Sequence, residues 1–166
     1  MVSHNIGGNF CVLFLSTIVN KIDKKGRVSV PAIFRAVLTA QKSPALVLYR
    51  SLKHPALDGS GIDRMKQLSD SIDQLGLFSD DQDDLVASIF ADSHMLTPDS
   101  EGRVQMPEDL LAHAQIAEQV AFVGRGATFQ IWNPDLFLVY QNQARDRLKT
   151  RGKDLNLALA AKDGGK

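Results

Sequence analysis

The sequence is short of several things, and each shortage removes a class of protein. It has one cysteine, Cys11. That excludes an intramolecular disulfide and a cysteine-based zinc cluster, and it fits a reducing compartment. It has no long apolar run. The strongest, "FCVLFLSTIV" at 10–19, is too short to span a bilayer and lacks the basic flank and small-residue cleavage site of a secretory signal. A cytoplasmic protein that makes no use of a membrane is the expectation.

Net charge is missing too: 19 Lys and Arg stand against 19 Asp and Glu, which argues against a uniformly basic nucleic-acid binder. Catalytic patterns are equally scarce. His4, His54, His94 and His113 are scattered without HExxH spacing, and "GRGATF" (124–129) lacks the full dinucleotide-binding glycine pattern. "DGSG" (58–61) follows no apolar strand, so it is not a nucleophile elbow. Asp80, Asp81, Asp83 and Asp84 lack the glycine and spacing of a calcium loop and read as the start of a solvated helix. No enzymatic activity, cofactor or metal is expected.

What is present begins with the placement of charge. Residues 1–55 hold eight Lys/Arg against one acidic residue, Asp23, whereas residues 56–118 hold three against fourteen, and residues 119–166 hold eight against four. A chain neutral in sum can still offer a basic patch to an anionic partner. The strongest signal is an internal repeat. "DKKGRVSVP" from Asp23 and "DSEGRVQMP" from Asp99 share Asp, Gly, Arg, Val and Pro at a constant spacing of 76 residues, and the same spacing relates "ALV" at 45–47 to "AFV" at 121–123.

Each copy reads as strand, turn, strand, helix, strand. In the first, "LFLSTIV" (13–19) is a strand, Asp23 and Gly26 make the turn, and "RVSVP" alternates Val28 and Val30 on one face. Pro31 then opens a helix over 32–40, and "ALVLY" (45–49) is a further strand. In the second copy, strands fall at 93–97, 102–106, 119–123 and 128–132, with Asp99 and Gly102 in the turn and a short helix at 108–114. The first copy offers no counterpart of "FQIW" (129–132): "RSLKHPALDGSG" after Tyr49 reads as a loop. Neither copy can bury a sizeable core alone, so their strands are expected to pack together or interleave. The domain plan is a first unit at 13–55, an acidic helical insert at 56–91 with Ser79 as an N-cap, and a second unit at 92–150 ending in a closing helix. Residues 1–12 and 151–166 read as tails.

The first turn carries Lys24, Lys25 and Arg27 together. Three cations at one turn repel each other, and an anionic partner relieves them. Double-stranded DNA supplies phosphate for all three and a guanine edge for the arginine. Arg35, further along the helix, extends the patch or faces solvent. A local reading stands beside this one, in which Asp23–Arg27 and Asp99–Arg103 ion pairs stiffen the two turns.

The paired D-x-x-G-R-V-x-hydrophobic-P motif, followed by "AIFR" in one copy and closed by "FQIW" in the other, resembles the MraZ family over residues 13–150. The resemblance implies an α+β fold in which two pseudo-symmetric AbrB-like swapped-hairpin units form one β-barrel-like domain with flanking helices. It also implies a ring-like homo-oligomer. The function it implies is transcriptional regulation of the division and cell-wall gene cluster, at the nucleoid, through direct repeats in the protein's own promoter. By position, Arg27 with Lys24 and Lys25 would face DNA; Arg103 matches the second motif, but Glu101 beside it departs toward a structural role. The rival expectation is a protein-interaction or antitoxin-like oligomer without specific DNA binding.

Overall fold

The computed structural model describes residues 13–76 and 78–152; the expected tails at 1–12 and 151–166 lie outside them except for residues 151 and 152. The chain divides into two compact units at the Asn133–Pro134 junction. The first contains strands β1 (Thr17–Lys21), β2 (Arg27–Ser29), β3 (Leu46–Arg50), β4 (Ala56–Gly61), β5 (His94–Leu96), β6 (Arg103–Gln105), β7 (Gln119–Gly124) and β8 (Phe129–Trp132). Its helices are α1 (Ala32–Ala40), α2 (Ile62–Asp73), α3 (Asp80–Leu85), which runs into a π-helical turn (Val86–Phe90), and α4 (Glu108–His113). The second unit is built on one helix, α5 (Pro134–Thr150). Within α5, the Arg147 guanidinium lies over the Tyr140 ring, 5.7 Å from its centroid.

Six strands form one antiparallel sheet in the order β1-β7-β8-β4-β3-β5, and β2 pairs with β6 in a separate ribbon. The expectation of a barrel-like domain is therefore corrected: the sheet is open, with β1 and β5 at its two edges. β1 joins the ribbon through the Ile22–Val28 bridge and through Asn20 Nδ2, which donates to the Ser29 carbonyl at 2.7 Å, and β5 is only three residues long. Short or polar edge strands are a common way to leave an edge unpaired.

Strands of the two repeats are interleaved. β1 of the first copy pairs with β7 of the second, and β5 of the second pairs with β3 of the first. The registers are not equivalent, however. Leu46 stands opposite Leu96, and the matching pair at the repeat spacing would be Phe122 with Asn20, yet Phe122 stands opposite Ile18. A two-residue slip keeps the same side chains on the same face.

Two expectations about strands are also corrected. β1 begins at Thr17 rather than at residue 13, because Ser16 takes φ +75° and breaks the extended run, leaving Phe14 to bridge Gly126 on its own. The stretch read as a loop after Tyr49 contains β4, paired with β3 on one side and β8 on the other. "ALDGSG" has little intrinsic β preference. It is a strand because both neighbours satisfy its backbone and because Gly59 leaves room for the Phe129 ring, whose carbons would lie as near as 2.4 Å to a Cβ there.

One face of the sheet carries the main core. From the first repeat it takes Val28, Val30, Phe34 and Leu38; from the second, Val104, Met106, Leu110 and Ala114, each the counterpart of the one before at the same spacing. Phe34, Val37 and Leu38 are buried on α1 at the spacing that puts one helical stripe inward. Phe34 meets three other rings, at 5.3 Å from Phe14, 5.5 Å from Phe129 and 6.0 Å from Phe122. The opposite face, through Val47 and Tyr49, packs with Met65, Ile89 and Leu68 from α2 and the π-turn. Of the stretch 56–91 expected as a helical insert, residues 56–61 are therefore the strand β4, followed by α2, α3 and the π-turn; Ser79 caps α3 by accepting from the Gln82 amide at 3.2 Å.

Candidate nucleic-acid interface

Both repeat turns are folded by their aspartate. In the first, Asp23 Oδ1 accepts from the amides of Lys25 and Arg27, each at 2.9 Å, and its carbonyl accepts from the Gly26 amide at 3.0 Å. In the second, Asp99 Oδ1 accepts from Glu101 at 2.9 Å and Arg103 at 3.0 Å, and its carbonyl accepts from Gly102 at 2.9 Å. Gly26 and Gly102 take φ +78° and +77°, the left-handed region that side chains with a Cβ avoid. The hydrogen bond from the Arg27 amide is the main reason the Asp23 carboxyl is held below its ordinary range, and the Arg103 amide does the same for Asp99.

The ribbon ties one turn to the other copy. Val30 donates its amide to the Gly102 carbonyl and Met106 donates to the Gly26 carbonyl, both at 2.9 Å. Because β2 and β6 run antiparallel, Arg27 stands opposite Gln105 and Ser29 opposite Arg103. The two turns therefore sit at opposite ends of the ribbon. Gln105 Nε2 donates to the Lys25 carbonyl at 2.6 Å, a support the sequence did not reveal because it spans 80 positions.

The charges differ where the backbones agree. Arg27 Nε donates to Asp23 Oδ2 at 2.7 Å, so the local pair read from the sequence forms. Arg103 Nε meets Asp99 Oδ2 at 3.3 Å, and its Nη2 also pairs with Glu101. Two carboxylates thus surround the single arginine of the second turn. In the first, one carboxylate serves Arg27, and among the described residues no ion pair engages Lys24 or Lys25. Arg35 is placed away from the lysines: its Nε donates to the Val30 carbonyl at 3.1 Å, and its guanidinium lies against Gly102 of the second turn. The structure thus groups Lys24, Lys25 and Arg27 at one end and Arg35 with Arg103 at the other.

These features define the class: an α+β repeat protein that holds two turns in one backbone form and leaves a surplus of positive charge on only one. Residues 89–157 match the protein family described as "MraZ protein, putative antitoxin-like". Curated relatives named "Transcriptional regulator MraZ" match much more of the chain. The protein of Gluconobacter oxydans is 42% identical over 141 residues, 83% of this chain and 86% of its own length. That of Pelagibacter ubique is 44% identical over 135 residues, 81% and 87% respectively. That of Gluconacetobacter diazotrophicus is 40% identical over 157 residues, 92% and 97%. The chain belongs to the MraZ family, whose relatives here are named as regulators and not as enzymes. Among the described residues no helix is long and apolar enough to cross a membrane.

Proposed function

We propose that this chain is a transcriptional regulator that binds double-stranded DNA through the Lys24–Lys25–Arg27 turn. The observation that carries the reading is the contrast between two turns of the same backbone form. Each holds its Asp and Gly in the same turn geometry, and each pairs its Arg with its Asp, yet the first alone adds two lysines that no ion pair engages among the described residues. Phosphate is the anion that balances their charge, and the regulator name carried by the relatives points to nucleic acid. Arg27 projects beside the lysines, while Arg103 and Arg35 at the far end of the ribbon offer secondary contacts.

One such turn makes few phosphate contacts, and the neutral net charge adds no general attraction. Affinity would then come from several turns displayed by a ring-like homo-oligomer, each meeting one direct repeat upstream of the protein's own coding sequence in a division and cell-wall gene cluster. Linked contacts of this kind gain through effective concentration. The exposed apolar edges of the sheet, Val19 on β1 and Met95 on β5, are compatible with self-association. The site of action would be the nucleoid in the cytoplasm. A mobility shift on that upstream DNA, at two salt concentrations, tests the proposal. Binding should weaken sharply with salt and when repeats are deleted or moved off helical phase. The rival reading, an antitoxin-like oligomer, draws on the wording of the family description; absence of any shift together with a stoichiometric co-purifying protein would favour it.

A further inference from the structure

The second face of the sheet carries a polar cluster that the DNA reading leaves unused. Strand register sets three polar side chains in one row: Tyr49 stands opposite Asp58, and Asp58 opposite Gln130. Neighbours of this kind on one face lie within side-chain reach. Gln130 is buried; its Nε2 donates to Asp58 Oδ1 at 2.6 Å, and its Oε1 accepts from Trp132 Nε1 at 2.8 Å. The amide is fixed in orientation by these two bonds. Arg125, in the loop between β7 and β8, brings Nη1 to 3.7 Å from the same Asp58 oxygen. That is close enough to hold the guanidinium nearby and too long to consume its donors.

Two cavities, of about 260 and 160 Å³, share Tyr49, Asp58 and Arg125 as walls. The smaller adds Ser60, Arg64 and Thr128, with Met65 and Leu68 of α2 on its apolar side. Ser60 is 3% exposed, and its Oγ has no hydrogen-bond partner among the described residues. A buried hydroxyl lining a cavity without a partner marks where a ligand atom would sit. Arg64 is exposed and donates to Gln67 Oε1 at 3.2 Å, with no carboxylate pairing it among the described residues. Burial above all, and then the charge of Asp58, raises the Tyr49 phenol above its ordinary value, so it stays a donor at neutral pH.

Donors dominate this cavity: two guanidinium groups, two hydroxyls and a phenol face a single carboxylate. Guanidinium forks fit tetrahedral oxyanions, and a lone acceptor beside them suits a ligand hydroxyl. We propose that the cavity between the sheet and α2 binds a small phosphate monoester. Arg64 and Arg125 hold its charged oxygens, Ser60 and Tyr49 donate to them, and Asp58 accepts from a hydroxyl on the ligand's carbon frame. The site is on the face opposite the main core, whereas Val28 and Val104 of the ribbon belong to that core. Ligand and DNA therefore use different groups.

Calorimetric titration of the full chain with glycerol 3-phosphate, and with inorganic phosphate as the probe lacking a hydroxylated frame, tests this. Saturable binding of glycerol 3-phosphate is expected, tighter than that of inorganic phosphate, reduced at least tenfold by Arg64→Gln, and unchanged by Lys24→Ala with Lys25→Ala. A second reading needs no site variant: in chain carrying ¹³C-labelled tyrosine, the ligand should move the Tyr49 resonance and not that of Tyr140, the assignment being made with Tyr140→Phe. Absence of saturable binding would overturn the proposal, as would binding lost with the two lysines and kept in Arg64→Gln, or a Tyr49 resonance that does not move.

Discussion

Val28 of the first repeat lies directly opposite Val104 of the second, and both side chains are buried in one core. They are the same position in the two copies, 76 residues apart. Among the described residues neither β2 nor β6 has a second ladder to fall back on, since the ribbon is two strands wide. The fold of each turn therefore depends on the other copy. Val28→Ala and Val104→Ala should each destabilise by about 2 kcal/mol, from lost transfer energy and residual cavity. In denaturant titrations the double variant should differ from the sum of the singles by at least about 0.5 kcal/mol. Simple additivity would mean that the ribbon does not couple the repeats.

The turn aspartates predict an acid dependence. Folding lowers the pKa of Asp23 and Asp99, so the native state favours their charged form. The stability they contribute is fully present above the ordinary carboxylate pKa, about 3.9, and is lost as pH falls through the lowered native values. Asp23→Asn combined with Asp99→Asn should lower stability at neutral pH and flatten the loss of stability below about pH 4. Urea titrations at a series of pH values read both effects; an unchanged acid limb would contradict the assignment.

Gly26 and Gly102 should resist substitution more than Gly126, although all three have positive φ. The backbone conformation alone costs an alanine about 1–2 kcal/mol. At Gly26 a Cβ would also come within 2.8 Å of Gln105 Nε2, and at Gly102 within 2.7 Å of the Arg35 guanidinium, while at Gly126 it meets open space. Thermal melts should rank Gly126→Ala as the mildest of the three. A larger loss at Gly126 would contradict the turn geometry described above.

Phe34 is the ring on which three others converge. Phe34→Ala should cost about 3–5 kcal/mol, the range for removing a large buried aromatic, and Phe34→Leu appreciably less. A loss below about 1 kcal/mol for the alanine variant would show that the cluster relaxes around the gap.

Much of this was legible in the sequence, and the exceptions have physical causes. α1 was readable because Pro31, the apolar spacing of Phe34, Val37 and Leu38, and the repeat all point the same way. The turns were readable because Asp and Gly perform a local task at fixed spacing. β4 was not readable: "ALDGSG" is a strand only through its neighbours, and tertiary pairing overrides weak propensity. The inequivalent registers of the two copies were hidden for a related reason, since a two-residue slip leaves the hydrophobic pattern untouched. Arg35 illustrates the remaining limit. Sequence places it near Arg27, but the antiparallel ribbon brings it to Gly102 of the other copy. The row formed by Tyr49, Asp58 and Gln130 joins three separate strands, and no spacing along the chain announces it.

DNA binding through the first turn requires Lys24 and Lys25 to be surplus to folding and available to phosphate. Fluorescence anisotropy of a labelled upstream duplex, measured across a salt series, tests that most directly when the intact chain is compared with Lys24→Ala/Lys25→Ala. The fold and the oligomeric state should be unchanged, because among the described residues neither side chain is ion-paired. Affinity should fall, and the slope of log K against log salt should become shallower by about 0.9 for each phosphate contact removed, about 1.8 for each engaged turn. An affinity and a slope identical to those of the intact chain would contradict the account.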